Sequence, residues 1–155
     1  PIDTVADARR YLQWYGYRWR IEEWHRALKE GCRLERSQLD DIEDLKRLAA
    51  LSGVLAIRLL QLRDLAREDS RQAHNPKTLQ EFAPRLWIEV VARLAQVSPD
   101  ALTPKQFLWT LARRGGFLAR KSDGMPGWKT LWQGWQEVAK MVEGIELMKP
   151  PPTCG

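Results

Sequence analysis

Apolar residues return at three- and four-residue steps along most of this chain, and no segment sustains the two-residue alternation of a half-buried strand bounded by turn residues. That property confines the fold to packed helices. Leu45, Leu48, Leu55, Leu59 and Leu62 form the clearest stripe and predict a helix reaching about residue 68. Hydrophobicity is nearly all-round from Val54 to Leu60, the pattern of a central, mostly buried element. Asp40, Asp41, Glu43 and Asp44 precede it, where acidic groups complement the positive end of a helix dipole.

Punctuation places the remaining elements. Residues 5–15 have helical composition, with Asp3 or Thr4 available as an N-cap. Residues 18–30 follow without Gly or Pro, and Gly31 offers a stop, so 5–15 and 18–30 together are one helix or two. The polar stretch 69–77, with Asn75-Pro76, reads as a loop. Residues 78–96 predict a further helix, with Pro84 as a candidate break and Phe82, Leu86, Val90 and Leu94 as its stripe. Thr103-Pro104 is a cap followed by Pro at a helix start, and Gly115-Gly116 is the matching stop. After a loop at 122–127, Trp128, Leu131, Trp132, Trp135 and Val138 share one face of the last helix. Residues 150–155 predict a frayed tail. The expected fold class is all-α, with five to six helices.

Composition then narrows the function. With 155 residues and 44% hydrophobic content the chain has the profile of one globular domain, which excludes disorder and collagen-like repeats. No run approaches the ~18 apolar residues of a membrane span, and the first residues lack a basic region followed by an apolar one. Cys32 and Cys154 are too few for a disulfide framework and too isolated for a zinc site, so a reducing compartment is expected, cytosolic or nuclear unless a targeting segment was removed. Lys+Arg 25 against Asp+Glu 20 leaves +5, mostly arginine, which favours polyanionic partners through fork-like phosphate contacts. Pro1-Ile2-Asp3 reads as an entry turn, as in a chain cut from a longer one.

The most informative stretch is 15–33. With Tyr15 at 0° and 100° per residue, Arg18, Glu22, Arg26, Lys29 and Arg33 fall at about −60°, −20°, +20°, −40° and 0°. All six share one face, while Tyr17, Ile21, Trp24 and Leu28 gather opposite as the expected core stripe. A solvated charged face would look the same, because Arg18–Glu22 and Glu22–Arg26 are ordinary helix-surface neighbours. The functional reading is a lone carboxylate among cations beside a phenol. That set suits phosphodiester chemistry: the carboxylate ligates a divalent metal while Arg, Lys and Tyr bind phosphates.

Tyr15-x2-Arg18-x3-Glu22-x6-Lys29, inside RWRIEEWHRALK at 18–29, resembles the Tyr-Arg-Glu-Lys signature of the insertion-sequence-four family of bacterial transposases, and in particular the C-terminal part of its Tn-five-like members. The similarity continues through VLAIRLLQLRDL at 54–65, GGF at 115–117 and the GWKTLWQGW core of 128–144, and is weakest between about residues 68 and 106. The resemblance implies a cut-and-paste DDE enzyme whose ribonuclease-H-like domain holds two Mg2+ or Mn2+ ions on an Asp-Asp-Glu triad, for an in-line displacement at the transposon end. Glu22 is then the third carboxylate. Tyr15, Arg18 and Lys29 hold the transposon-end backbone, Arg26 and Arg33 extend that face, and Trp19, at about +40° on the wheel, stacks near the distorted terminal bases.

The family's two aspartates lie upstream, in a sheet for which this sequence has no strands, and Asp3 and Asp7 are poor stand-ins. Residues 1–38 are therefore expected to be the helical end of the catalytic domain, and 39–149 a helical dimerisation domain acting in a homodimeric synaptic complex. Residues 150–155 form a tail. The chain by itself is expected to be inactive, its metal site incomplete. The resemblance also implies a bacterial cytoplasmic protein, nucleoid-associated when bound to double-stranded DNA and with no membrane partner. The expected dimer surfaces are the last helix and its neighbours, although an aromatic stripe such as Trp128, Trp132 and Trp135 is more often core.

Two other readings compete. Glu22-x-x-His25 fits one element of a carboxylate-bridged di-iron bundle, but the second histidine, His74, falls in a predicted loop. A helical DNA-binding module without catalysis is the stronger alternative, with Arg9, Arg10, Arg18, Arg20, Arg26, Arg33 and Arg36 as its electrostatic footprint. Against it, Glu22 would sit in the middle of the basic face and repel phosphate.

Overall fold

Thr4, rather than Asp3, starts the first helix: its backbone is extended, and its Oγ1 accepts from the Asp7 N–H at 3.1 Å. The computed structural model describes residues 2–32, 34–69, 77–120 and 122–149. Helix α1 runs without interruption over Val5–Arg26, so the stretch left open as one helix or two is one. At Ala27–Gly31 the chain widens into a π-turn, closed by the Cys32 N–H donating to the Ala27 carbonyl at 3.1 Å. A short 3-10 turn, Leu34–Arg36, leads on to α2, Ile42–Asp69. The acidic cluster caps α2 as its charge predicts, with Asp41 Oδ1 accepting from the Glu43 N–H at 2.9 Å.

Helices α3 (Lys77–Phe82) and α4 (Arg85–Ala95) are separated at Pro84, as its fixed φ and missing N–H require. A 3-10 turn at Pro99–Ala101 precedes α5, Pro104–Arg114. Here Thr103 accepts from the Gln106 N–H at 3.1 Å, and the Gln106 side chain accepts from the Thr103 N–H at 3.0 Å. Thr103→Ala breaks this reciprocal cap and is expected to cost about 1 kcal/mol, read from the midpoint of urea unfolding. At the other end Gly116, at φ +91, lets the Phe117 N–H reach back to the Ala112 carbonyl at 2.9 Å. The last helix, α6, is Trp128–Leu147. No strand occurs among the described residues, so the architecture is all-α. Two sequence expectations, the 69–77 loop (apart from residue 69, the end of α2, and residue 77, the start of α3) and the tail from residue 150, lie outside the described residues.

The chain divides into two compact units, Pro1–Leu60 and Gln61–Gly155, so the boundary falls inside α2. The second unit has a dense core of Phe107, Leu108, Leu111, Leu131 and Val138, with Ile88, Val91 and Ala92 from α4. Helices α5 and α6 pack there with backbone against backbone. A Cβ built on Gly115 would lie 1.8 Å from the Thr130 carbonyl oxygen, and one on Gly134 would lie 1.7 Å from that of Leu111. Trp87 of α4 stacks on Trp135 of α6 with ring centroids 4.3 Å apart, and Arg63 lies 4.3 Å over the Trp128 ring.

Burial departs from the sequence expectation in three places. Helix α2 is not buried all round: Ser52, Ala56, Leu59, Leu62 and Ala66 are buried, while Leu51, Val54 and Ile57 are exposed. Periodicity cannot detect this, because an apolar face records only that burial is favourable somewhere. In α4 the buried residues are Ile88, Val90, Val91 and Ala92, so of the expected stripe Val90 is buried, whereas Leu86 and Leu94 are half-buried. Pro84 restarts the helix, so its phase is set by packing on α5 and α6, not by continuation from Phe82. The third departure is the whole of α1, which contains no buried residue.

Candidate phosphodiester-binding face

Helix α1 is amphipathic only weakly, because aromatic and charged residues alternate around it, and it buries neither side. Tyr17 and Ile21, expected in the core, are 57% and 59% exposed. Of the expected stripe only Trp24 and Leu28 are half-buried. Within the first unit Trp24 ties α1 to α2, its Nε1 donating to the Gly53 carbonyl at 3.2 Å. A few residues on, the half-buried Cys32 thiol donates to the Ser52 carbonyl at 3.8 Å, and burial pushes its pKa up to about 11.

On the opposite side, Tyr15, Arg18 and Glu22 do come together. The Arg18 guanidinium donates through Nε and Nη2 to the same oxygen of Glu22, at 3.3 and 3.1 Å, and lies 5.8 Å from the Tyr15 ring centroid. Trp19, also exposed, stands beside them. Tyr15 and Glu22 each lie one helical turn from Arg18 and from Trp19, so α-helical spacing alone assembles them. The Arg18–Glu22 pair is exposed and worth little to stability, so Arg18 is available to a phosphate that approaches.

The rest of the expected face disperses. Arg26 pairs with Glu30 at 3.8 Å, and Lys29 with Glu35 at 3.1 Å, so neither cation is held by Glu22. The π-turn explains Lys29: its wider turn shifts every residue after Arg26 away from the α-helical register on which the wheel relied. Arg33 lies outside the described residues. His25 is exposed, its ring 4.9 Å from that of Trp24. His74 lies outside the described residues, and no group of three His, Cys, Asp or Glu able to hold a metal occurs among them.

Chemically, the face offers one hard carboxylate donor, a guanidinium already aimed at it, a phenol and an indole. Glu22 suits a divalent cation of the Mg2+ type, but by itself it is a single ligand. The described residues therefore do not complete a metal site.

Sequence reasoning missed a second exposed region. The end of α6 presents Leu147 and Met148, 79% and 88% exposed, with Ile145 one turn before. Ile145 joins Leu86, Val90 and Val97 in lining an apolar cleft of about 610 Å³ in the second unit. The Trp-rich start of the same helix drew attention instead, yet Trp128 is 4% exposed and Trp135 is stacked within the unit. Three apolar residues within four positions just before the Pro-rich tail were the available signal. No helix among the described residues is long and apolar enough to cross a membrane.

Residues 81–151, from the end of α3 through α6, match the family model described as the transposase Tn5 dimerisation domain.

Proposed function

We propose, from the premise that residues 81–151 belong to the Tn5 transposase dimerisation-domain family, that the chain is the C-terminal part of a cut-and-paste DNA transposase. In this reading the second unit assembles a homodimer, and α1 supplies catalytic and DNA contacts. Glu22 is the third carboxylate of a DDE set whose two aspartates come from outside this chain. Tyr15, Arg18, Trp19, Arg26, Lys29 and Arg33 hold the backbone and terminal bases of the transposon end. The observation that carries the proposal is the family match in the second unit, together with the joined Tyr15, Arg18 and Glu22 in the first.

The exposure of α1 fits that role. A helix with Tyr17 and Ile21 in solvent on one side and a phosphate-suited set on the other is built to lie between a larger apolar surface and DNA. A divalent metal held by Glu22 and the two aspartates would neutralise charge at the phosphodiester. What this chain does is set the local charges: Arg18 neutralises Glu22 until phosphate arrives, and then moves to the phosphate, for which its fork geometry is suited.

Two measurements test the reading. With magnesium and transposon-end DNA, this 155-residue chain is expected to give no strand cleavage, and any end-specific nick would refute the split of the triad. In metal-free buffer, Glu22→Gln is expected to tighten DNA binding, because it removes a negative charge from the face and frees Arg18. If binding is unchanged, Glu22 does not face the phosphates, and a helical DNA-binding module without catalysis becomes the better account.

The dimer contact is expected at the end of α6, where exposed apolar side chains continue into the apolar cleft. A two-fold contact would bury Leu147 of each copy against the other. Leu147→Asp should therefore convert a dimer to a monomer in light scattering with no change in helicity. A wild type that stays monomeric at high concentration, or a variant that stays dimeric, would place the interface elsewhere.

A further inference from the structure

Helix α5 turns Phe107, Leu108, Leu111 and Ala112 into the core of the second unit. Its other side carries two adjacent rows at four-residue steps: Lys105, Trp109 and Arg113, then Gln106, Thr110 and Arg114. With the end of α4, these rows line a cleft of about 580 Å³ in which no acidic residue takes part.

The helix itself explains only two of the three cations. Arg113 and Arg114 sit in the last turn, where the dipole favours positive charge, but Lys105 sits in the first turn, where it is disfavoured. Among the described residues none of the three is engaged in an ion pair. Trp109 adds a buried Nε1–H with no hydrogen-bond partner among the described residues. Three cations without an ion pair among the described residues, the Gln106 amide, a hydroxyl and an unused indole donor on α5, with the Gln96 amide at the end of α4, form a set of donors awaiting an anionic acceptor.

From Lys105 to Arg113 is about 12 Å at 1.5 Å per residue. Over that length one DNA strand presents about three phosphates. We propose that this cleft is a second phosphodiester-binding site, by which the second unit holds the backbone of duplex DNA independently of α1. The choice of duplex DNA over other polyanions rests on the transposase reading, while the phosphate chemistry does not.

The test is the salt dependence of binding by the whole chain to a labelled duplex of arbitrary sequence, without metal. Arg113→Gln with Arg114→Gln should lower the slope of log K against log salt by about 2, and lower affinity at ~0.1 M salt by about tenfold or more. Lys105→Gln alone should lower the slope by about 1, which keeps the test available if the double variant is unfolded by circular dichroism. Trp109→Phe, which removes a neutral donor, should weaken binding about threefold without changing the slope. Lys129→Gln with Lys149→Gln removes the same charge away from the cleft and should leave the slope unchanged.

An unchanged slope in the folded cleft variants overturns the proposal, as does an equal fall in the Lys129 and Lys149 control. It is also overturned if the cleft variants keep DNA binding but lose a polyglutamate peptide, which would make the partner an acidic protein. Retained cleavage in a Glu22→Gln transposase would remove the catalytic assignment of Glu22 and leave the cleft result standing.

Discussion

Glu22→Gln, placed in a transposase that carries this segment together with its two upstream aspartates, is expected to lower transposon-end cleavage by about a thousandfold or more. A metal-ligating carboxylate contributes several kcal/mol of transition-state charge stabilisation, and about 4 kcal/mol corresponds to about a thousandfold in rate. The substitution keeps the shape of the side chain and removes only its charge. Exposure also makes it a clean test: Glu22 contributes an exposed ion pair with Arg18 and no buried contact, so the variant should unfold at the wild-type temperature. Cleavage assayed on end-sequence DNA, beside a melting curve, therefore separates chemistry from folding. Cleavage within a few-fold of wild type would end the catalytic assignment and leave α1 as a binding helix.

Gly134→Ala should destabilise the second unit by about 3 kcal/mol, lowering Tm by about 10 °C. The added Cβ would lie 1.7 Å from the Leu111 carbonyl oxygen and 3.1 Å from the Gly115 backbone nitrogen. Both neighbours are backbone atoms of a packed helix, so no side-chain rotation relieves the clash and α5 must move away from α6. That separation would loosen Leu131 and Val138 and shift the Trp87–Trp135 stack. Gly144→Ala, on the same helix with open space around it, should have the opposite sign and raise stability by about 0.5–1 kcal/mol. Thermal melts of the two variants decide the matter, and a neutral Gly134→Ala would mean that α5 and α6 are not in backbone contact.

Local signals were readable wherever a few adjacent residues determine geometry. The Thr103 box, the Pro84 break, the Asp41 cap and the Gly116 stop each depend on two to five neighbouring positions. The candidate site was legible for the same reason, because Tyr15 and Glu22 each lie one turn from Arg18 in a regular helix. Lys29 was placed on that face by α-helical spacing as well as by the signature, and the spacing did not hold. Its position depends on the π-turn, which follows from how the end of α1 settles against its surroundings and not from spacing.

Within residues 2–32, 34–69, 77–120 and 122–149 the sequence by itself therefore determined that the chain is helical, where most helices begin and end, and which side chains share the α1 face. These are consequences of backbone geometry repeated every 3.6 residues. Tertiary structure alone decided which faces are covered. It left α1 exposed on both sides and α2 covered on one. It brought α5 and α6 into contact at two glycines, and it left the basic rows of α5 open beside α4. The physical reason is that hydrophobic burial has no direction of its own: an apolar stripe lowers free energy against any apolar partner, and only the assembled fold supplies one.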